Sequence, residues 1–165
     1  MHFDPLADFK YSVDKRIMYF SGTAVYKKNF KLGNDDLSSD KLVLSLGEMN
    51  DIAKVIINGK DAGVWWYPPY KKDVTKFLKA GDNELVVEVT VNWANCLIGD
   101  EQEEPDFEWG SDRGNRGRAI KAYPEWFINN EKRPSNRKTF LIWYYHKMNS
   151  PLQSAGLVGP VEILY

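Results

Sequence analysis

The chain has 165 residues and carries 22 Lys and Arg against 23 Asp and Glu, a formal charge of −1. That length suits one domain with a substantial core, and no shift in composition divides it, so a single domain over residues 1–165 is expected. The charge balance gives no electrostatic reason to expect nucleic acid or an anionic membrane as partner. No apolar run approaches the length of a membrane span, and the lone Cys96 reads as a small buried apolar residue rather than as part of a disulfide or zinc site.

Residues 1–16 read as an N-terminal extension without a basic stretch and apolar core, and the abrupt start at Met1 suggests a fragment of a longer protein. Strand signals follow at residues 17–30, 41–46, 52–57, 62–66, 84–91, 139–146 and 157–164. Seven strand patterns with few helical ones predict an all-β, antiparallel sandwich of jelly-roll type. In the second, Leu42, Leu44 and Leu46 alternate with Val43 and Ser45, which sets an inward face. Between the third and fourth, Asn58-Gly59 predicts a tight hairpin turn, since both residues accept positive φ, and Gly63 predicts a bulge. Pro68 and Pro69 end the strand that carries Trp65-Trp66-Tyr67. Asp73 is placed to cap a short turn over residues 74–78. Beyond it Leu85, Val87, Val89 and Val91 point to one face, and Val86, Glu88 and Thr90 to the other.

From 92 to 138 the pattern breaks, and a long loop insertion is expected there, with a helical turn over 124–128. An acidic block, Asp100, Glu101, Glu103, Glu104, Asp106 and Glu108, precedes a basic one, Arg113, Arg116, Arg118 and Lys121. The blocks are set to pair with one another, and Phe107, Trp109, Tyr123, Trp126 and Phe127 between them predict a packed rather than disordered segment.

Ordered segments carry a family resemblance. YFSGTAVYKKNF (19–30), LSLGEMNDIAKVIINGKDAGVWWYPPYKKDVTKFLKAGDNELVVEV (44–89) and VNWANCLIGDE (91–101) resemble the sugar-binding-type β-sandwich domain of family 2 glycoside hydrolases. YPEWF (123–127) and SPLQSAGLVGPVEI (150–163) resemble the C-terminal sandwich of α-L-rhamnosidase-type enzymes of family 106. The resemblance covers about residues 17–165. It implies a galactose-binding-like jelly roll, a non-catalytic accessory role beside a catalytic domain on the same polypeptide, carbohydrate as partner, and a periplasmic or extracellular location. The Trp93-Ala94-Asn95 triplet stands where such domains send a polar side chain toward the sugar pocket.

Candidate sugar contacts are Trp65, Trp66, Tyr67 and Tyr70, whose rings can stack on a pyranose, together with Asn92, Trp93, Asn95 and Asp100 at the end of a strand, and Trp109. Strand alternation allows only one of Trp65 and Trp66 to face solvent. The competing readings are burial for each aromatic and turn formation for each Asn. The acidic run reads foremost as a solvated face, because a glycosidase needs two carboxyls held across one sugar bond. No cofactor is expected, and an irregular calcium site in the run is the open alternative. His2 and His146 are too far apart to suggest a metal pair. Residues 113–118, RGNRGR, resemble a nucleic-acid tract in composition alone. A freestanding carbohydrate-binding module and a purely structural interdomain module are the rival roles.

Overall fold

A computed structural model describes residues 6–114 and 117–165. His2 and Arg116 lie outside the described residues. By contact the chain divides into two compact units, one of residues through 92 together with 154–165, the other of residues 93–153.

The first unit is the sandwich. Its strands are β1 (Gly22–Leu32), β2 (Val43–Ser45), β3 (Ile52–Ile57), β4 (Lys60–Trp65), β5 (Lys71–Asp73), β6 (Gly81–Val91) and β7 (Glu162–Leu164). They form a four-stranded sheet ordered β1-β6-β3-β4 and a three-stranded sheet ordered β5-β2-β7, every pairing antiparallel. The period-two pattern explains the assembly: Leu85, Val87, Val89 and Val91 of β6 meet Val55 and Ile57 of β3, Leu44 and Leu46, and Trp65 in one apolar core.

Local chemistry fixes the register. Asn58 and Gly59 turn the β3–β4 hairpin at φ 52° and 74°, the primed turn that matches strand twist. The Asn58 carboxamide donates to the Phe77 carbonyl (2.9 Å) and to Asn83 Oδ1 (2.8 Å) and accepts from the Glu84 N–H (3.0 Å), tying the hairpin to the start of β6. The register shifts where Val55 faces Gly63 and Ile56 faces Asp61, which is the bulge expected at Gly63. Asp73 accepts from the N–H (3.0 Å) and hydroxyl (2.7 Å) of Thr75 and opens the short 3-10 turn Thr75–Phe77. Eleven residues long and at a sheet edge, β1 exposes Lys27, Lys28, Asn29 and Lys31.

Gly47 and Gly159 cross at contact distance. Gly47 has φ +67°, and a Cβ there would lie 2.3 Å from the Gly159 carbonyl carbon. Neither backbone can yield cheaply, so Gly47→Ala is expected to lower stability by about 2 kcal/mol or more, read as a fall in the urea midpoint.

Several sequence expectations need correction. Residues 17–30 open with helix α1 (Lys15–Met18), where Asp14 accepts from the Arg16 N–H (2.9 Å), and strand begins only at Gly22. Residues 157–164 are strand only from Glu162, because Gly156 and Gly159 adopt φ 83° and 78° and Pro160 has no N–H to donate. Residues 139–146 form no strand. They belong to the second unit and contribute one bridge, Ala119 to Trp143.

The second unit holds α2 (Ala94–Asp100) and α3 (Glu125–Ile128). Phe107, Trp126 and Phe127 pack around Phe140 at ring-centroid distances of 5.5, 5.6 and 4.9 Å. Aromatic packing and buried polar ties, rather than a strand ladder, organise it. Helix α2 was missed because it is seven residues long and its Trp93 N-cap makes no side-chain capping bond. Cys96 on α2 is buried and unpaired, and burial pushes its thiol up.

Candidate carbohydrate-contact surfaces

At the end of β4 the chain alternates, and the two tryptophans part. Trp65 is 2% exposed and sits in the core, its indole N–H 3.5 Å from the Ala62 carbonyl and Lys72 Nζ 5.4 Å from its ring. Trp66 and Tyr67 are 66% and 61% exposed, with ring centroids 4.7 Å apart and planes 61° apart. Tyr70 turns inward, and its carbonyl accepts from the Leu46 N–H at 2.9 Å. Of the four aromatics expected to offer a platform, Trp66 and Tyr67 stand together on the surface. Trp65 and Tyr70 are core, a correction that follows from strand alternation and from the sheet pairing at Leu46.

Asn92 follows β6 and is exposed; its N–H donates to Asp51 Oδ1 at 3.3 Å. Asp51 is buried, and its other oxygen accepts from the Gly156 N–H at 2.8 Å. Burial pushes this carboxyl up, and the amides of Gly156 and Asn92 offset only part of the rise. Asp51 is thus a backbone tie that sequence patterning did not reveal.

In the second unit Trp93 is 60% exposed. Asn95 is buried and fully used: its Nδ2 donates to the Gln153 carbonyl and its Oδ1 accepts from the Gln153 N–H, both at 2.8 Å. Asp100 is also buried, accepting from the N–H of Lys138 (2.8 Å) and from the N–H and hydroxyl of Thr139 (2.5 Å each). Both residues are placed as internal ties rather than as surface groups.

The acidic run is not a solvated face throughout. Asp106 accepts from Arg133 Nε (2.5 Å) and the Ser135 hydroxyl (2.6 Å), and Glu101 from Arg137 Nη1 (3.0 Å). Among the described residues, only Glu108 of the run pairs with the basic block that follows, through Lys121 at 2.7 Å on the surface. The partners of the buried acids lie 27 to 39 residues further along, beyond what block pairing predicts. Among the described residues no group of three or more His, Cys, Asp or Glu gathers as a metal ion requires.

Trp109 packs against Phe107 and Tyr144, each at 4.9 Å, and lines a small groove with Glu101, Arg137, Tyr145 and His146. Its free volume is about 20 Å³, room for one water. The aromatic run ending in His146 was the available signal for this groove, but it reads equally as a strand.

Residues 4–139 match the family described as glycosyl hydrolase 2 galactose-binding domain-like. The chain belongs to this family. It is 44% identical over 164 residues to a protein of Formosa agariphila named "Putative beta-glucuronidase", covering 99% of this chain and 14% of that protein. It is also similar to the structure of a rhamnosidase from Novosphingobium sp. PP1Y, at 28% identity and a TM-score of 0.69, covering 94% of this chain and 12% of that one. The chain therefore spans a small fraction of each of these proteins, and its antiparallel sandwich is a fold it shares with the rhamnosidase structure.

Proposed function

We propose that this chain is a non-catalytic accessory module of a glycoside hydrolase and that Trp66 and Tyr67 form its sugar-contacting surface. The observation that carries the reading is the pair itself: two large rings in mutual contact, both mostly exposed, at the end of a strand in a galactose-binding-like sandwich. An exposed ring face stacks on the apolar C–H face of a pyranose, and the pair presents two such surfaces at once. Asn92, Trp93 and Trp109 are secondary candidates within the same reading, which sees the module packing against a catalytic domain and helping to shape its sugar pocket. A non-catalytic role agrees with the fate of the acidic run, whose Asp100, Glu101 and Asp106 are committed to internal bonds. Placement outside the cytoplasm is part of this proposal and rests on the family alone. No described helix is long and apolar enough to cross a membrane.

Titration of the purified chain with neutral oligosaccharides, followed by tryptophan fluorescence, tests the reading. Trp66→Ala is expected to weaken binding roughly tenfold, equivalent to about 1.4 kcal/mol. Unchanged affinity in that variant would remove the platform. Hydrolysis of aryl α-L-rhamnosides or β-glucuronides by the chain alone would overturn the non-catalytic role.

A second reading, a structural face against another domain, is favoured by α3. Tyr123 and Phe127 stack at 5.6 Å with both rings about half exposed, beside Ile128 at 67%. Such a patch is the kind that a neighbouring domain covers.

A further inference from the structure

The four-stranded sheet has a second face, and its residues follow a pattern that the core does not require. Core side chains alternate along all four strands, Tyr26 on β1, Val55 on β3, Trp65 on β4 and Val89 on β6 among them, so the residues between them share the opposite face. There the register sets Thr23 beside Thr90 and Thr90 beside Ile52, and continued by one residue past β4 it sets Trp66 beside Ile52. All four residues of this row are exposed. The Thr23 and Thr90 hydroxyl oxygens lie 3.0 Å apart, a contact that uses one of their two hydrogens and leaves the other to donate outward. The next row holds Val25, Glu88, Lys54 and Val64 in that order across the strands.

We propose that this face is a track for a linear neutral oligosaccharide, laid across the strands from Trp66 to the Thr23–Thr90 hydroxyl pair. The inference rests on the Trp66 platform and extends it over β3, β6 and β1. Length decides the size of the ligand: neighbouring strands lie ~4.8 Å apart, so three spacings separate Trp66 from Thr23, the reach of a short chain and more than one sugar can span. The Trp66 ring and the half-exposed Ile52 offer apolar surface to the C–H faces of successive rings, and the two hydroxyls donate to and accept from sugar hydroxyls. Charge decides the class. Lys27 and Lys54 on this face balance Glu88 and Asp61, the last 4.0 Å from Lys54, so an acidic glycan meets no net attraction. The second row also favours a glycan over another protein domain. A domain closing over the sheet would strip water from Glu88 and Lys54 at its centre, which is costly, whereas a sugar chain keeps one side in water and leaves both charges hydrated.

Two-dimensional NMR of the full chain reads the face directly, through the backbone amides of Ile52 and Thr90 and the indole N–H of Trp66. The probes are linear β-1,4-linked oligosaccharides of glucose, xylose and mannose, from one to four sugars long. At least one series is expected to move all three signals, with affinity rising roughly tenfold from one sugar to three. Thr90→Val replaces the hydroxyl by a methyl at an exposed strand position; it is expected to weaken the trisaccharide roughly fivefold and to leave the monosaccharide unchanged. Thr90→Ser keeps the hydroxyl and is expected to bind as the unaltered chain does. If Trp66 responds alone and affinity does not depend on length, the track fails and the platform stands. If Ile52 and Thr90 respond without Trp66, the platform fails and the sheet face stands; silence of all three rejects both. Tighter binding of a galacturonic acid trisaccharide than of every neutral one would overturn the neutral chemistry.

Discussion

Trp65→Ala is expected to remove roughly 3–5 kcal/mol of stability from the sandwich, the range for truncating a buried large aromatic. The side chain is among the largest that are fully buried, and it sits in the core formed by the inner faces of β3 and β6 with Leu44 and Leu46. Truncation leaves a cavity bounded by strands paired in fixed register, with Ala53 opposite Trp65 and Val89 beyond it, so collapse around the void is restricted. Its neighbour gives the control. Trp66→Ala removes a ring that is two-thirds exposed and is expected to change stability by no more than about 0.5 kcal/mol. Urea denaturation followed by far-ultraviolet circular dichroism measures both. A loss below about 1 kcal/mol for Trp65→Ala would contradict its place in the core.

Asp106→Ala is expected to be as damaging, but in the second unit. The carboxylate side chain is 2% exposed and the paired Arg133 side chain 17%. Arg133 is further committed to the Thr139 carbonyl (2.6 Å) and lies over the Trp126 ring (5.0 Å), so it cannot follow its lost partner into water without dismantling that packing. Removing one member of a buried pair costs about 3–5 kcal/mol, because the other is left as an uncompensated charge. Hydrogen exchange is the measurement: protection should fall across residues 93–153 and not in the strands of the sandwich. The double variant Asp106→Leu with Arg133→Met is expected to lose less than the single one, since no orphan charge remains.

The same carboxyl sets an acid limit. Burial pushes it up, but the bonds from Arg133 and Ser135 outweigh burial and hold it below the usual Asp value. A depressed folded value means that the contribution is complete above the unfolded value, about 3.9, and is lost as pH falls through the lower folded value. Loss of protection in the second unit should therefore begin on the acid side of about pH 4 and be absent in Asp106→Ala.

Much of the sandwich was legible because its determinants are local. Asn58-Gly59 fixes a turn by two positive φ values, Gly63 marks a bulge, and the alternation of Leu85, Val87, Val89 and Val91 faces the core as its spacing requires. The platform was half legible: alternation limited the Trp doublet to one exposed ring but did not say which. Burial by the core decided that. The second unit was not legible for a different reason. Its organising contacts, Asp106 to Arg133, Glu101 to Arg137 and Asp100 to Thr139, join residues 27 to 39 apart through side chains, with no periodic pattern to announce them. A run such as Phe140 to His146 carries the composition of a strand, and only its ring contacts show that it serves as packing. Asn95 and Asp100 were expected in a loop just past a strand, but they lie on helix α2, and both side chains are buried.

The exposed lysines of β1 bear on how copies of this chain behave toward one another. An outer strand of eleven residues has one edge with no neighbouring strand among the described residues, and such an edge can template a second strand and begin a stack. Antiparallel self-pairing there would bring Lys27, Lys28 and Lys31 of one copy against the lysines of the next, and like charges across a strand pair oppose it. The strand thus carries its own deterrent to fibrous self-association, written into side chains that contribute nothing to the core.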